Sequence, residues 1–203
     1  EPLVGTWGEL SGDCDAMNAA IWASEAPALF KNRVDFGEQA FQTDLLSAGG
    51  LEVYESGNLG GSSLHSEVLS FEVLNRCEDA GLIKTEGQIE YLDDGGKKTD
   101  LLLQIDDQLV GVSVTRAYHY PPDEPYTVEE GLSLLDDKLG DVLLSSANVD
   151  PTDAWSRSML HVIAYDAVAA DAIEVAHTQL SPDVRDSTLL VITTTDGRDE
   201  IVY

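Results

Sequence analysis

The first regular pattern of apolar and polar positions lies between residues 63 and 80. Its apolar stripe, at helical spacing, consists of Leu64, Val68, Phe71 and Leu74. Ser62 or Ser63 stands before the stripe as an N-cap, and Gly81 follows it as a terminator. This spacing, with its end signals, predicts an amphipathic helix over 63–80.

Three strand patterns follow that helix. They cover 82–92, 99–106 and 109–117, and the short linkers between them read DDGGKK and DDQ. Short polar linkers, one of them with glycines, are typical of hairpins, so the three strands are predicted to form an antiparallel meander.

Two further helix and strand pairs complete the pattern. A Thr-x-x-Glu capping box at Thr127 and Glu130 opens a helix over 127–146, and the apolar run at 158–165 is typical of a buried central strand. Asp166 caps an alanine-rich helix over 167–180, and a last strand covers 188–195. The order α-β-β-β-α-β-α-β predicts an α/β fold with a mixed sheet and right-handed crossovers.

The N-terminal 60 residues show a weaker pattern. Apolar residues at roughly helical spacing predict helices at 16–23 and 35–46, and LEVYES at 51–56 is interpreted as a short strand. We therefore divide the chain into an N-terminal helical extension (1–60), packed on the core, and an α/β core (61–203).

Charge narrows the classes of partner. There are 38 acidic residues against 11 Lys and Arg, which gives a net charge of −27. Such a field disfavours nucleic acid, whose binding relies on a basic patch, and suits solubility or a cationic partner. No apolar run approaches the length of a membrane span. The acidity, the first residue other than Met and the pair Cys14 and Cys77 predict an exported protein, periplasmic or extracellular. The two cysteines form a disulfide, or Cys77 is a buried free thiol.

The core pattern resembles the PD-(D/E)XK restriction-endonuclease-like superfamily, whose common core is α-β-β-β-α-β. The resemblance covers 63–195 and rests on the segments SEVLSFEVLNR, KTEGQIEY, TDLLLQI, GVSVTRA and MLHVIAYD. Within the superfamily, the chain is similar to uncharacterised nuclease-like proteins of eukaryotic microbes that carry the same GVSVTRA third strand.

The resemblance implies a set of site residues. Active members use Mg²⁺, held by a strand Asp and by the Glu of a Glu-x-Lys motif, with a helix Glu assisting. Asp100 matches the strand Asp and Glu67 the helix Glu, whereas Ser113 and Thr115 stand at the Glu and Lys positions. Neither hydroxyl replaces a carboxylate ligand or a lysine charge, so the catalytic site is predicted to be degenerate.

Substitutes for the missing groups remain open. Glu86, with Gln88 and Glu90 on one face of the first strand, is a candidate ligand, and Lys98 or Arg116 is a candidate cation near Asp100. We expect Arg116 to pair with the carboxylates of Glu67, Glu86 or Asp100.

Asp100 is alternatively a plain strand-start residue that binds its own hairpin loop, and Glu67 a solvated helix residue. His161, on the buried strand, is interpreted as a hydrogen-bonded core histidine.

Three functions follow as hypotheses. The first is an exported, acidic nuclease-like module that has no cofactor and binds another macromolecule. The second is a Mg²⁺-dependent nuclease whose site has migrated to Asp100, Glu67 and Glu86. The third is a secreted domain that binds a small molecule or a metal. A basic groove beside Asp100 would favour the second, and an enclosed apolar pocket the third.

Overall fold

The computed structural model describes residues 5–59, 62–121 and 124–203, which form an α/β structure around a seven-stranded mixed sheet. The strands are β1 (Glu9–Gly12), β2 (Ala28–Asp35), β3 (Gly81–Thr85), β4 (Leu101–Ile105), β5 (Gln108–Ala117), β6 (Arg157–Ala164) and β7 (Leu189–Asp196). The helices are α1 (Ala19–Trp22), α2 (Ala48–Ser56), α3 (Leu64–Glu78), α4 (Val128–Asn148), α5 (Ala167–Gln179) and α6 (Pro182–Arg185). Short 3-10 helices cover Thr43–Leu45, Glu86–Gln88 and Glu200–Val202.

The sheet has the strand order β1-β2-β7-β6-β5-β4-β3. Its four middle strands, β2, β7, β6 and β5, are parallel to one another. At one edge β5, β4 and β3 form an antiparallel meander, and at the other β1 runs antiparallel to β2. The predicted hairpin of 99–106 and 109–117 is confirmed, and so is the parallel strand predicted near 158–165.

Helices cover both faces of the sheet, because its middle strands are apolar on both sides. On one face α3 contributes Val68, Phe71 and Leu74 to a core shared with alternate residues of β2, β4, β5 and β7. On the other face α4 and α5 enclose a second core against β6 and β7. The predicted capping box of α4 is confirmed, since Thr127 and Glu130 each accept from the other's backbone N–H.

The prediction of a helical N-terminal extension is wrong in its main elements. Residues 28–34, for which no element was predicted, form β2 together with Asp35, and β2 pairs along its whole length with β7. The predicted helix at 35–46 is replaced by the end of β2 and a 3-10 turn at Thr43–Leu45, and the predicted strand at 51–56 is part of helix α2. The N-terminal residues therefore contribute two strands to the same sheet.

The first meander strand is shorter than predicted. β3 ends at Thr85, and the chain then forms the 3-10 helix Glu86–Gln88, in which the side chain of Gln88 accepts from the N–H of Thr85. The predicted common strand face of Glu86, Gln88 and Glu90 therefore does not exist. The sequence segments GNLGGSSL (57–64) and YPPDEPY (120–126) are interpreted as loops, and their residues 60–61 and 122–123 lie outside the described part.

Across the described ranges, none of the helices has the length and apolar character needed to cross a membrane.

Candidate functional site

Asp100 stands immediately before β4, at the mouth of the β4–β5 hairpin. Its backbone N–H donates to the carbonyl of Val112 at 3.1 Å, and its Oδ2 accepts from the backbone N–H of Val114 at 2.6 Å. The side chain thus extends the hairpin ladder by one hydrogen bond beyond the strand. Asp100 retains partial solvent access.

Glu67 lies in the first turn of α3 and is almost fully buried, at 3% exposure. Its Oε1 accepts from the hydroxyl of Ser63 at 2.7 Å and from the amide of Asn58 at 3.4 Å. Glu86 begins the 3-10 helix after β3, and its Oε2 accepts from the N–H of Leu59 at 2.9 Å. Both carboxylates therefore hold the loop that leads into α3.

Neighbouring carboxylates influence the protonation of Asp100 and Glu67. Desolvation, followed by the charges of Glu67 and Glu86, raises the pKa of Asp100 to about 8 against the hydrogen bond from Val114. Burial also raises the pKa of Glu67, and the nearby charge of Glu86 adds to that shift. Burial and the neighbouring charges therefore both disfavour the charged form of Asp100 when no cation is present.

Ser113 and Thr115 occupy alternate positions on β5. The hydroxyl of Ser113 shares a hydrogen bond of 2.9 Å with that of Thr99, whose N–H donates to the hydroxyl of Tyr91 at 2.8 Å. Successive strand residues point to opposite faces, and Val114 packs with the α3 core. Ser113 and Thr115 therefore lie on the opposite face from Glu67, the face where Ala117 meets α4 and α5.

Arg116 makes different contacts from those expected. Its guanidinium donates to the carbonyl and hydroxyl of Ser62 and to the carbonyl of Val202, at 3.2 to 3.3 Å. Within the described ranges it forms no ion pair with a carboxylate, so the expected pairing with Glu67, Glu86 or Asp100 is wrong. Its charge still lowers the pKa of Glu67 from a longer distance.

Lys98 does not provide the cation beside Asp100 either. Its Nζ lies 3.8 Å from the exposed carboxylate of Asp94 and 5.5 Å from the centre of the Tyr91 ring. The positive charge that acts on the pKa of Asp100 belongs to Lys138, on α4. The sequence offered no signal for Lys138, because α4 joins this site only through the packing of the sheet.

His161 is a core histidine, as predicted. It is fully buried on β6, with Nδ1 at 2.8 Å from the hydroxyl of Ser70 and Nε2 at 2.7 Å from that of Thr193. Desolvation lowers the pKa of His161 to about 3, so the ring is neutral at physiological pH. All three side chains are fully buried, and they form a structural network between α3, β6 and β7.

Two more carboxylates of α3 are buried, which sequence reasoning missed. Glu72 is fully buried, and its Oε1 accepts from both the N–H and the hydroxyl of Ser47, the N-cap of α2. Glu78 accepts from the N–H groups of Ala16 and Met17. Burial raises the pKa of both acids. Their only sequence signal was their place within the apolar helix 63–80.

The site therefore gathers acidic groups without the geometry of a metal centre. In the part of the chain that the structure describes, no group of three His, Cys, Asp or Glu side chains is placed to hold a metal ion. What the arrangement does is fix the entry to α3 and the mouth of the β4–β5 hairpin. Of the predicted residues, it brings Glu67, Glu86 and Asp100 within electrostatic range. Ser113 and Thr115 lie on the face opposite to Glu67, and the register of Leu101 with Val112 places Ser113 across the hairpin from Asp100.

Fold and site together define an α/β protein with a mixed seven-stranded sheet and, near the start of α3, the buried carboxylate of Glu67 with the half-buried carboxylates of Glu86 and Asp100. No protein-family model matches the sequence, and no solved structure matches it. The chain is similar to the AAC-rich mRNA clone AAC4 protein of Dictyostelium discoideum, with 37% identity over 154 residues. That match covers 73% of this chain and 22% of the relative, so the chain spans about a fifth of the relative's length.

Proposed function

We propose that this chain is an exported module of the PD-(D/E)XK nuclease-like type that has lost its catalytic constellation and acts by binding another macromolecule. The topology supports the proposal. Helix α3, the meander β3-β4-β5, helix α4 and the parallel strand β6 follow in the order of the superfamily's common core.

The hydroxyl of Ser113 is the observation that carries the loss of catalysis. A nuclease of this type needs a second carboxylate at that position to hold Mg²⁺ with Asp100. Ser113 is instead neutral and engaged with Thr99, and Thr115 brings no positive charge to align a water. Asp100 itself accepts a hydrogen bond from Val114, and its raised pKa disfavours the charged form that a metal ion requires.

Charge supports binding of a cationic partner and export. A net charge of −27 repels the phosphates of nucleic acid and attracts a basic surface. The disulfide between Cys14 and Cys77 suits an oxidising compartment. A partner held by this acidic surface is expected to dissociate more readily as the salt concentration rises.

A nuclease assay tests the proposal. Purified protein with Mg²⁺ or Mn²⁺ is expected to cleave neither single- nor double-stranded DNA or RNA above background. The assay compares wild type, Asp100→Ala and Asp107→Ala, an exposed acid of the β4–β5 turn that serves as the matched control. Robust cleavage that Asp100→Ala abolishes and Asp107→Ala preserves would overturn the proposal.

One observation favours a metal-dependent nuclease as the second candidate. The elevated pKa of Asp100 reflects desolvation and the repulsion of Glu67 and Glu86, which a divalent cation would relieve. Calorimetric titration with Mn²⁺ separates the candidates, because a migrated site releases protons as it binds the ion. If the wild-type protein binds Mn²⁺ and Glu67→Gln does not, the metal-dependent nuclease is favoured. If neither protein gives a heat of binding, the result supports the binding module without catalysis.

A further inference from the structure

Residues 13–18, which we name the clip segment, connect β1 to α1 and lie against the end of α3. Cys14 is joined by a disulfide to Cys77 on α3. Three backbone hydrogen bonds support the same junction: the N–H of Asp15 donates to the carbonyl of Cys77 at 2.9 Å, and those of Ala16 and Met17 donate to the carboxylate of Glu78 at 3.3 and 3.0 Å. The clip segment is thus attached to two consecutive residues of α3.

The two cysteine residues differ in their exposure. Cys14 is exposed, whereas Cys77 is 2% exposed. We therefore expect a dissolved thiolate to attack at Cys14, with Cys77 as the leaving group.

Asp13, at the start of the clip segment, is also bound to Lys31 of β2: its N–H donates to the carbonyl of Lys31 and its Oδ2 accepts from the N–H of Lys31, both at 2.9 Å. Few other contacts hold the rest of the clip segment. Met17 is its one buried apolar side chain, and Asp15 has a positive φ of 55°, a region that disfavours residues other than glycine. β1, which precedes it, is an edge strand of four residues whose side chains are mostly exposed. The carboxylate of Glu78, which accepts hydrogen bonds from the clip segment, is desolvated. Burial raises its pKa and so disfavours the charged form, which is the stronger acceptor.

The cores of the sheet depend on other residues. The α4 and α5 side contains no residue of the clip segment, and the α3 side contains only Met17 and, at its margin, Ala16. Loss of the clip contacts therefore removes a small part of the buried apolar surface. The structure predicts local opening and not cooperative unfolding when the bridge is cut.

We infer that the Cys14–Cys77 disulfide is a redox-sensitive switch: a dithiol reductant frees residues 14–17 of the clip segment while the sheet and α3–α5 remain folded. The first thiolate of the reductant attacks Cys14 and forms a mixed disulfide, and Cys77 leaves as a thiolate that takes up a proton. The second thiol then closes the reductant's own disulfide and releases Cys14. Two electrons and two protons pass to the protein, and the dithiol is oxidised.

The opened form has an enlarged groove. A groove of about 260 Å³ already lies beside the junction, lined by Glu78, Asp79, Gly81, Ile83, Gln104 and Asp106. Removal of Met17 and of the two N–H donors to Glu78 adds an apolar site and a free carboxylate to it. The redox state therefore controls a surface at the β3 edge, independently of the function proposed for the Asp100 region.

Hydrogen exchange of the full chain, followed by mass spectrometry with and without dithiothreitol, tests the inference. The amides of Asp15, Ala16 and Met17 are expected to exchange at least about tenfold faster after reduction, while those of β6 and β7 keep their protection. Alkylation of both cysteines confirms the reduction. The Cys14→Ser/Cys77→Ser double variant is expected to show the same local pattern without reductant.

Two results would overturn the inference. Loss of protection throughout β6 and β7 on reduction identifies the bridge as a global structural disulfide. Unchanged exchange at 15–17 in the reduced, alkylated protein shows that the remaining contacts suffice to hold the segment. A double variant that does not fold leaves the reduced wild-type protein as the deciding sample.

Discussion

The Oδ2 atom of Asp100 accepts a hydrogen bond of 2.6 Å from the backbone N–H of Val114. This contact joins the residue before β4 to β5, the strand on which the nuclease resemblance places the second acidic metal ligand. A neutral Asp or an Asn can accept the same bond, since only one oxygen is used.

Asp100→Asn is therefore expected to remove a pH dependence of stability. The folded pKa of Asp100, about 8, lies above its ordinary value of 3.8, so the native state binds the extra proton between these values. The free energy of unfolding of wild type should fall as pH rises through that window, and Asp100→Asn should flatten the fall.

Urea unfolding in metal-free buffer at about pH 5 and about pH 8 measures this change. Asp107→Asn, in the exposed turn, is the control and should keep the wild-type slope. Asp100→Ala, which cannot accept from Val114, should lose about 1–2 kcal/mol at both pH values. An Asn variant with the same slope as wild type would contradict the assignment.

Arg116→Ala is expected to lower stability because it frees the carbonyls of Ser62 and Val202. Three hydrogen bonds at a partly exposed site predict a loss of about 1–2 kcal/mol in the free energy of unfolding. Arg116→Lys should recover part of it, since an ammonium cannot reach both segments in the same plane. The exposed Arg198, replaced by Ala, is the matched control; equal losses in both variants would argue against the bridging role.

His161→Leu is expected to destabilise the protein by about 2–4 kcal/mol, because the hydroxyls of Ser70 and Thr193 lose their buried partner. Combining it with Ser70→Ala and Thr193→Val should restore part of that loss. Chemical denaturation of the single and triple variants measures both changes. A triple variant no more stable than His161→Leu would show that packing, and not the hydrogen bonds, is what the histidine supplies.

The lowered pKa of His161 determines the direction in which this residue changes stability with pH. Its folded pKa of about 3 is below the ordinary 6.5, so the unfolded chain binds the extra proton between these values. This group therefore stabilises the fold less as pH falls below 6.5. NMR of the imidazole should show no titration above about pH 4 while the protein stays folded; a midpoint near 6 would place the ring in contact with solvent.

Glu72→Gln is expected to stabilise the protein at alkaline pH. Burial raises the pKa of Glu72, so its contribution to stability declines as pH rises through the folded pKa. Glutamine keeps an oxygen for Ser47 and removes the charge, whereas Glu72→Ala leaves the N–H and hydroxyl of Ser47 unpaired. At about pH 8 the urea midpoint of Glu72→Gln should be higher than that of wild type, and the midpoint of Glu72→Ala should be lower. Glu52→Gln, on the exposed side of α2, is the control and should have the wild-type midpoint.

Elements whose pattern and end signals agree were predictable from sequence. Helix α3, capped helices α4 and α5 and the β4–β5 hairpin each fall within a few residues of their predicted bounds, because local spacing and turn chemistry determine them. β2 was not predicted. Its partner β7 lies far along the chain, and a strand that pairs non-locally has no turn beside it to mark it.

In the candidate site, too, some features were predictable from sequence and others were not. The positions of Asp100 and Glu67 follow from their elements, and both lie where the pattern predicts. The interaction partners of the site residues cannot be predicted from these elements. Arg116 donates to the carbonyl of Val202, and the charge of Lys138 on α4 acts on Asp100, because the assembled sheet and helices bring these residues together. Burial of Glu67 and Glu72 in α3 also depends on the N-terminal segment that covers that helix.

The pairing of β2 with β7 constrains the timing of assembly during synthesis. Ala28 pairs with Leu189, so β2 lacks its parallel neighbour until the ribosome has produced residues 189–196. Contacts between residues so far apart in sequence slow folding. Until they form, the unpaired backbone edge of β2 is open to strands of other molecules. Chaperone dependence and aggregation of nascent chains should therefore be greatest for truncations that end between α5 and β7.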